Sequence, residues 1–189
     1  MKTIFTTLFS TLLMVLYISG IAQTSVEITN DPNGVKDTSK KSIPAITIGD
    51  VDGDTIKISY HSPGVRKRII WGGLVPYDEV WVTGAHNATT LEINKSFIIG
   101  DQEIAAGTYA LFSIPGRKEW IVILNKRWQQ HLASEYDAKD DVVRIKVKPK
   151  KAGHLERLQY FIEPGKDHNI IIRVGWEKTR IEFPLIIKS

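Results

Sequence analysis

The sequence lacks cysteine entirely, and this absence excludes several kinds of chemistry at once. Without a thiol the chain has no disulfide scaffold, no thiol nucleophile, no thiolate metal ligand and no cysteine for a lipid anchor. Beyond the N-terminal segment there is also no apolar run that approaches the ~18 residues of a membrane-spanning helix. With 42% hydrophobic and 24% charged residues, the composition is that of a soluble globular domain.

The motifs of the common enzyme classes are missing as well. There is no Gly-x-Ser-x-Gly elbow and no Ser-x-x-Lys, and Gly72-Gly73 is followed by Leu-Val-Pro instead of a phosphate-binding Gly-Lys-Ser. No local spacing of acids identifies the carboxylate pair that glycoside cleavage requires. We therefore favour a non-enzymatic protein, with a hydrolase that uses scattered acids as one alternative.

The excess of positive charge is small, with 25 Lys and Arg against 21 Asp and Glu. The bases are spread along the chain, and the one dense cluster is 146–151. There Lys146 and Lys148 alternate with Ile145 and Val147, as on the solvated face of a strand. A nucleic-acid partner is therefore not expected.

The N-terminus has the pattern of an export signal. Lys2 precedes an apolar stretch, and Gly20 and Ala22 are the small residues that a signal peptidase needs before its cut. We predict a signal peptide at 1–22 and an exported protein that resides in the periplasm or outside the cell. The polar, turn-rich segment 23–42 is predicted to be a flexible leader, and one domain is predicted over 43–189.

Alternation with a period of two dominates the predicted domain. Ile56, Ile58 and Tyr60 alternate with polar neighbours, which is typical of a half-buried strand. Segment 128–138 has few β-branched residues and predicts a short helix. The fold class is therefore all-β: an antiparallel β-sandwich or flattened barrel of about nine or ten strands with one short helical insertion. The predicted strands are 45–51, 56–60, 89–94, 97–99, 102–114, 119–125, 143–147, 155–163, 168–175 and 179–187.

Five motifs, in this order and spacing, resemble one bacterial family, the domain of unknown function 2911. They are Ser62-Pro63-Gly64-Val65, Trp71-Gly72-Gly73-Leu74-Val75-Pro76-Tyr77, Val80-Trp81-Val82-Thr83-Gly84-Ala85, Ala106-Gly107-Thr108-Tyr109-Ala110-Leu111-Phe112-Ser113-Ile114-Pro115-Gly116 and Trp176-Glu177-Lys178-Thr179. The resemblance covers roughly 45–187. It implies a mainly β, exported protein of the Bacteroidota type and implies no activity.

The chain departs from the commonest form of that pattern at three positions. Val82 stands where an Arg is usual, and His86-Asn87 stands where Asn-Glu is usual. Whatever the Arg and the Glu do elsewhere in the family is therefore not carried over to this chain.

Three histidines next to predicted strands are candidate metal ligands. His61 and His86 share one end of the sheet if their strands are antiparallel neighbours. If the later strands run alternately, the chain returns to the same end before His131. One miscounted strand would place His131 at the opposite end. If 128–138 is helical, His131 and Glu135 project from one face. Three imidazoles with an optional carboxylate suit Zn or Cu, and also Ni. The competing interpretation is that these are hydrogen-bonded surface histidines.

The aromatic loop before the strand at 89–94 is the second candidate site. It is too aromatic for a solvated loop, so we expect it to fold back and cover one end of the core. Trp120 and Trp176 lie inside strand patterns, where core packing is expected. The candidate ligand-binding residues are Trp71, Tyr77, Trp81 and Asn87.

The leading hypothesis is thus an exported β-sandwich module that binds a small ligand or a metal ion at the end that carries this loop. The alternatives are a carbohydrate-binding module that uses the aromatic residues, a structural protein that contacts envelope partners, and an uncharacterised hydrolase. Zn or Cu is the only cofactor expected.

Overall fold

A computed structural model describes residues 24–29, 31–34, 39–51, 53–165 and 169–188. The predicted signal peptide, 1–22, lies outside the described residues. Within these ranges no helix has both the length and the apolar character needed to cross a membrane.

The described chain is built from strands in the order predicted by the period-two pattern. They are β1 (Thr24–Thr29), β2 (Ser42–Val51), β3 (Asp54–Pro63), β4 (Thr89–Ile93), β5 (Phe97–Ile99), β6 (Gln102–Ile104), β7 (Gly107–Ile114), β8 (Trp120–Asn125), β9 (Asp141–Val147), β10 (Lys150–Pro164) and β11 (Ile170–Ile187).

The strands form two antiparallel sheets. The larger has the order β1-β2-β3-β4-β7-β8-β9, and the smaller has the order β10-β11-β5-β6. Strand β10 lies across β2 and β3, so the inner faces of the two sheets meet. The chain is all-β and forms a sandwich rather than a closed barrel, which confirms the predicted fold class.

The core lies between the sheets and follows from the alternation in each strand. In β3, Ile56, Ile58 and Tyr60 are buried while their neighbours are half-buried. Each such side chain contributes about 1.5–3 kcal/mol when it leaves water. The sheets approach so closely at Gly49 that a Cβ there would lie 2.7 Å from Cγ2 of Ile162 on β10.

Part of the predicted leader, 23–42, is attached to the sandwich. Strand β1 pairs with β2 in an antiparallel register from Thr24 opposite Val51 to Thr29 opposite Ile46. The turn that follows is also held, because Nδ2 of Asn33 donates to the backbone oxygen of Arg157 on β10 at 3.1 Å.

Several predicted strands differ from the structure in their bounds. The predicted strand 102–114 is divided into β6 and β7 by Ala105-Ala106. The predicted strands 168–175 and 179–187 belong to one long strand, β11, in which Glu177 has a φ of 56°. A single residue in that conformation kinks a strand without ending it.

The segment 128–138, predicted to be a short helical insertion, forms no α-helix. It contains only two short 3-10 turns, Ala133–Glu135 and Ala138–Asp140. Side chains form hydrogen bonds with backbone groups that a helix would use. Nδ2 of Asn125 donates to the backbone oxygen of Asp137, and Oδ1 of Asp137 accepts from the backbone nitrogen of Lys139. Such local bonds compete with helix formation.

Candidate functional site

The long connection between β3 and β4, residues 64–88, carries most of the unusual backbone in the described chain. Six described non-glycine residues have a positive φ, and five of them lie here. Non-glycine residues pay a cost in this conformation, and it persists only where the surroundings fix it. The five are Arg66, Lys67, Asp78, Thr83 and His86.

Thr83 shows how the surroundings hold this loop. It is fully buried with a φ of 50°, which is strained for a β-branched residue. Its hydroxyl donates to Oγ of Ser113 at 2.9 Å. Its backbone oxygen accepts from the hydroxyl of Thr89 at 3.0 Å and from that of Tyr160 at 2.8 Å. Bonds from β4, β7 and β10 therefore fix one loop residue, and the loop is preorganised.

Backbone bonds join the same loop to three other parts of the fold. The nitrogen and oxygen of Trp81 pair with those of Ser113 on β7, and the nitrogen of Ala85 donates to the oxygen of His61 on β3. The nitrogen of Ala88 donates to the oxygen of Gln130 at 2.9 Å. The loop 64–88 is thus docked against the loop that follows β8.

Four tryptophans, two from this loop and two from strands, form one cluster. Trp71 contacts Trp81, Trp120 and Trp176 edge to face, with ring centroids 4.8–5.9 Å apart. Trp81 and Trp176 lie nearly parallel, with centroids 6.0 Å apart. Nε1 of Trp81 donates to the oxygen of Gly84, while Nε1 of Trp71 and Nε1 of Trp176 are buried without a hydrogen-bond partner. The predicted core packing of Trp120 and Trp176 agrees with this arrangement.

A pocket of about 330 Å³ lies above the cluster, between the loop 64–88 and the loop after β8. Its walls are mostly apolar, and its polar residues are mainly basic. The pocket lining includes Lys41, Arg68, Trp81, His86, Ala133 and Trp176.

The loop after β8 is held by buried polar groups at its two ends. Asn125 is fully buried, and its Nδ2 donates to Oδ1 of Asp141 at 2.9 Å. Asp140 is also buried and forms ion pairs with Lys126 at 3.4 Å and with Arg127 at 4.0 Å. This anchoring brings the middle of the loop, with its pocket residues, to the mouth of the site.

Tyr136 fixes the far side of that loop. Its hydroxyl donates to Oδ2 of Asp141 at 2.6 Å and accepts from Nη2 of Arg144. Burial, and then the adjacent carboxylate of Asp141, raises the pKa of Tyr136 to about 12. The phenol therefore stays protonated at ordinary pH and keeps this hydrogen bond.

Two of the three candidate histidines, His61 and His86, are in contact beside the pocket, and His131 lies against Asn87. The rings of His61 and His86 contact edge to face, with centroids 5.3 Å apart, because β3 and β4 are antiparallel neighbours. Nδ1 of His131 lies 2.8 Å from Oδ1 of Asn87, and Nε2 of His86 lies 2.8 Å from Oγ of Ser42. Burial, then the neighbouring charges of His86 and His131, lowers the pKa of His61.

Glu135 does not project beside His131 from a helix, as the spacing suggested. Instead its Oε2 accepts a hydrogen bond from the backbone nitrogen of His131 at 2.9 Å. Among the described residues, no three acids or histidines have an arrangement that could hold a metal ion. His61 and His86 are therefore in contact, and the described residues contain no complete coordination site.

The four predicted ligand-binding residues occupy different positions. Trp81 lines the pocket, whereas Trp71 lies in the tryptophan cluster below it. The ring of Tyr77 is covered by the guanidinium of Arg117, 4.4 Å from its centroid. Asn87 is exposed and bonds to a histidine ring.

Sequence reasoning missed part of the pocket lining. Lys41 falls in the predicted leader, Arg68 lies in a loop, and Leu132 and Ala133 lie in the predicted helix. None of these positions belongs to a motif, so no local signal identified them. The period-two pattern did place Trp176 in the core, and the structure shows it at the base of the pocket as well.

The fold and the site together define a class of protein: an antiparallel β-sandwich with a preformed, mainly apolar pocket at one end. The chain belongs to the family described as Protein of unknown function (DUF2911), whose family model matches residues 42–185. Comparison with curated proteins and with solved structures gave no match.

Proposed function

We propose that this protein is an exported, non-enzymatic binding module that takes a small, largely apolar ligand in the pocket above Trp81 and Trp176. One observation carries the proposal: the pocket of about 330 Å³ has apolar walls and a few polar groups at its mouth. Small-molecule sites are concave, mostly apolar and largely preformed, with volumes of about 300–1,000 Å³. The strained Thr83, whose hydroxyl and backbone oxygen are both hydrogen-bonded, supports a preformed loop.

The aromatic geometry favours an apolar ligand over a sugar. A sugar platform needs an exposed, flat ring face, but Trp71 meets three other tryptophans and Tyr77 is covered by Arg117. Only Trp81 of the predicted aromatic lining reaches the pocket. The arrangement of these aromatic rings therefore favours a role in packing and in the pocket wall over a role as a stacking surface for sugars.

Filling the pocket from its loop side should abolish binding. We expect the neutral fluorescent probe N-phenyl-1-naphthylamine to bind the parent protein, and Ala133→Phe to weaken its affinity by more than about tenfold, because the added ring occupies the ligand volume. Fluorescence titration measures both affinities.

The matched control is Ala138→Phe, which adds the same ring to an exposed position on the same loop. We expect it to bind the probe like the parent. Absence of probe binding by the parent, or equal affinity in all three proteins, would contradict the proposed function.

Metal binding is the second candidate function, and the contact between His61 and His86 favours it. Neutral imidazole is a good ligand for Zn and Cu, and His131 bonds to Asn87, the residue that follows His86. A metal ion would have to replace the hydrogen bonds of His86 to Ser42 and of His131 to Asn87. These bonds are single and lie at the surface, so their loss costs little.

Calorimetric titration of the untagged protein with Zn and Cu salts tests this candidate. We expect one site in the parent, and its loss when His61 and His86 are both replaced by alanine. His154→Ala is the control, because His154 lies on β10 and pairs with Glu156. Unchanged metal binding in the double variant would eliminate the site.

A further inference from the structure

The charged or ionisable side chains that line the pocket are basic. Lys41 and His86 are exposed at its mouth and Arg68 is half-buried there, beside the exposed apolar side chains of Leu74 and Leu132. No acidic residue is among the residues that line the pocket. The apolar walls and these basic groups give the site two kinds of surface. A ligand that matches both must be amphipathic.

Lys41 and Arg68 at the mouth have no acidic partner in the part of the chain that the structure describes. Among the described residues, no carboxylate lies within ion-pair distance of Lys41 or Arg68, whereas ion pairs hold basic residues elsewhere, such as Lys126 with Asp140. Cations beside an apolar pocket attract an anion.

The guanidinium of Arg68 is held in place at this mouth. Its Nε donates to the oxygen of Val65 at 3.2 Å, and its Nη2 donates to that of Gly64 at 2.5 Å. These bonds leave Nη1 without a partner among the described residues. A positioned guanidinium with donors to spare is suited to an oxyanion.

We infer that the ligand is a small amphipathic carboxylic acid, with its apolar body against Trp81 and Trp176 and its carboxylate at Lys41 and Arg68. The inference rests on the proposed function and names the chemical class that the site takes. An amine of the same shape would meet like charges, and an alcohol would lack the negative charge that attracts a carboxylate to the two cations.

Competition against N-phenyl-1-naphthylamine tests the inference with three ligands that share one apolar body: phenylbutanoate, phenylbutanol and phenylbutylamine. At slightly alkaline pH and low salt, we expect the acid to bind at least about tenfold more tightly than the alcohol, and the amine to bind most weakly. The advantage of the acid should shrink as salt is added.

Lys41→Gln should reduce the preference for the acid over the alcohol by about threefold or more and leave the affinity for the alcohol unchanged. Lys40→Gln is the control. It removes the same charge from the neighbouring residue, whose side chain does not line the pocket. Equal binding of acid and alcohol by the parent would overturn the inference while leaving the proposed function intact. Failure of all three ligands and of the probe would overturn both.

Discussion

Replacing Trp176 by alanine should lower the free energy of unfolding by about 3–5 kcal/mol, which is typical for loss of a large buried aromatic side chain. Trp176 is 2% exposed and contacts the rings of Trp71 and Trp81. Its removal leaves a cavity that the two sheets, held by their backbone ladders, cannot close. The expected loss is a large part of the stability of a domain of this size.

The control for this substitution is Trp128→Ala. Trp128 is 42% exposed and lies outside the tryptophan cluster, so we expect a loss below about 1 kcal/mol. Urea unfolding followed by far-ultraviolet circular dichroism measures both variants without relying on tryptophan emission. Equal losses in the two variants would contradict the packing described for the cluster.

Replacing Arg157 by methionine has the second-largest expected effect, a loss of about 2–3 kcal/mol. Arg157 is 2% exposed, and its guanidinium donates to the oxygen of Ser62 at 3.3 Å and to that of Lys40 at 2.9 Å. Methionine retains much of the apolar volume but leaves two carbonyl oxygens without this donor. The segment before β2 would then lose part of its attachment to β10.

This variant also tests how Lys41 is positioned at the pocket. Because Lys41 follows the anchored Lys40, Arg157→Met should reduce the preference for phenylbutanoate over phenylbutanol as well as the stability. Arg66→Met is the control for loss of a positive charge at an exposed position. Full stability of Arg157→Met in urea unfolding would mean that the guanidinium bonds contribute little.

The sandwich could be predicted because burial on one face of each strand leaves a period of two in the sequence. The pattern in Ile56, Ile58 and Tyr60 corresponds directly to side chains between the sheets. The helix prediction for 128–138 failed because it rested on propensity alone. Propensity could not anticipate that Asn125 and Asp137 would bond the backbone of that segment.

The site was predictable only where it depends on neighbouring strands. His61 and His86 meet because antiparallel pairing of β3 and β4 brings the end of one strand to the start of the other. The pocket instead joins Lys41, Arg68 and Leu132 to β11, and these residues are far apart in the chain. Nothing local in the sequence shows that such residues converge, since tertiary packing alone brings them together.

A crystal structure grown with bromophenylbutanoate is the most direct test of the central claim that this pocket is a ligand site. We expect an anomalous bromine peak against Trp81 and Trp176, with the carboxylate density at Lys41 and Arg68. Bromine peaks only at other surfaces, with the pocket empty at saturating ligand, would contradict that claim.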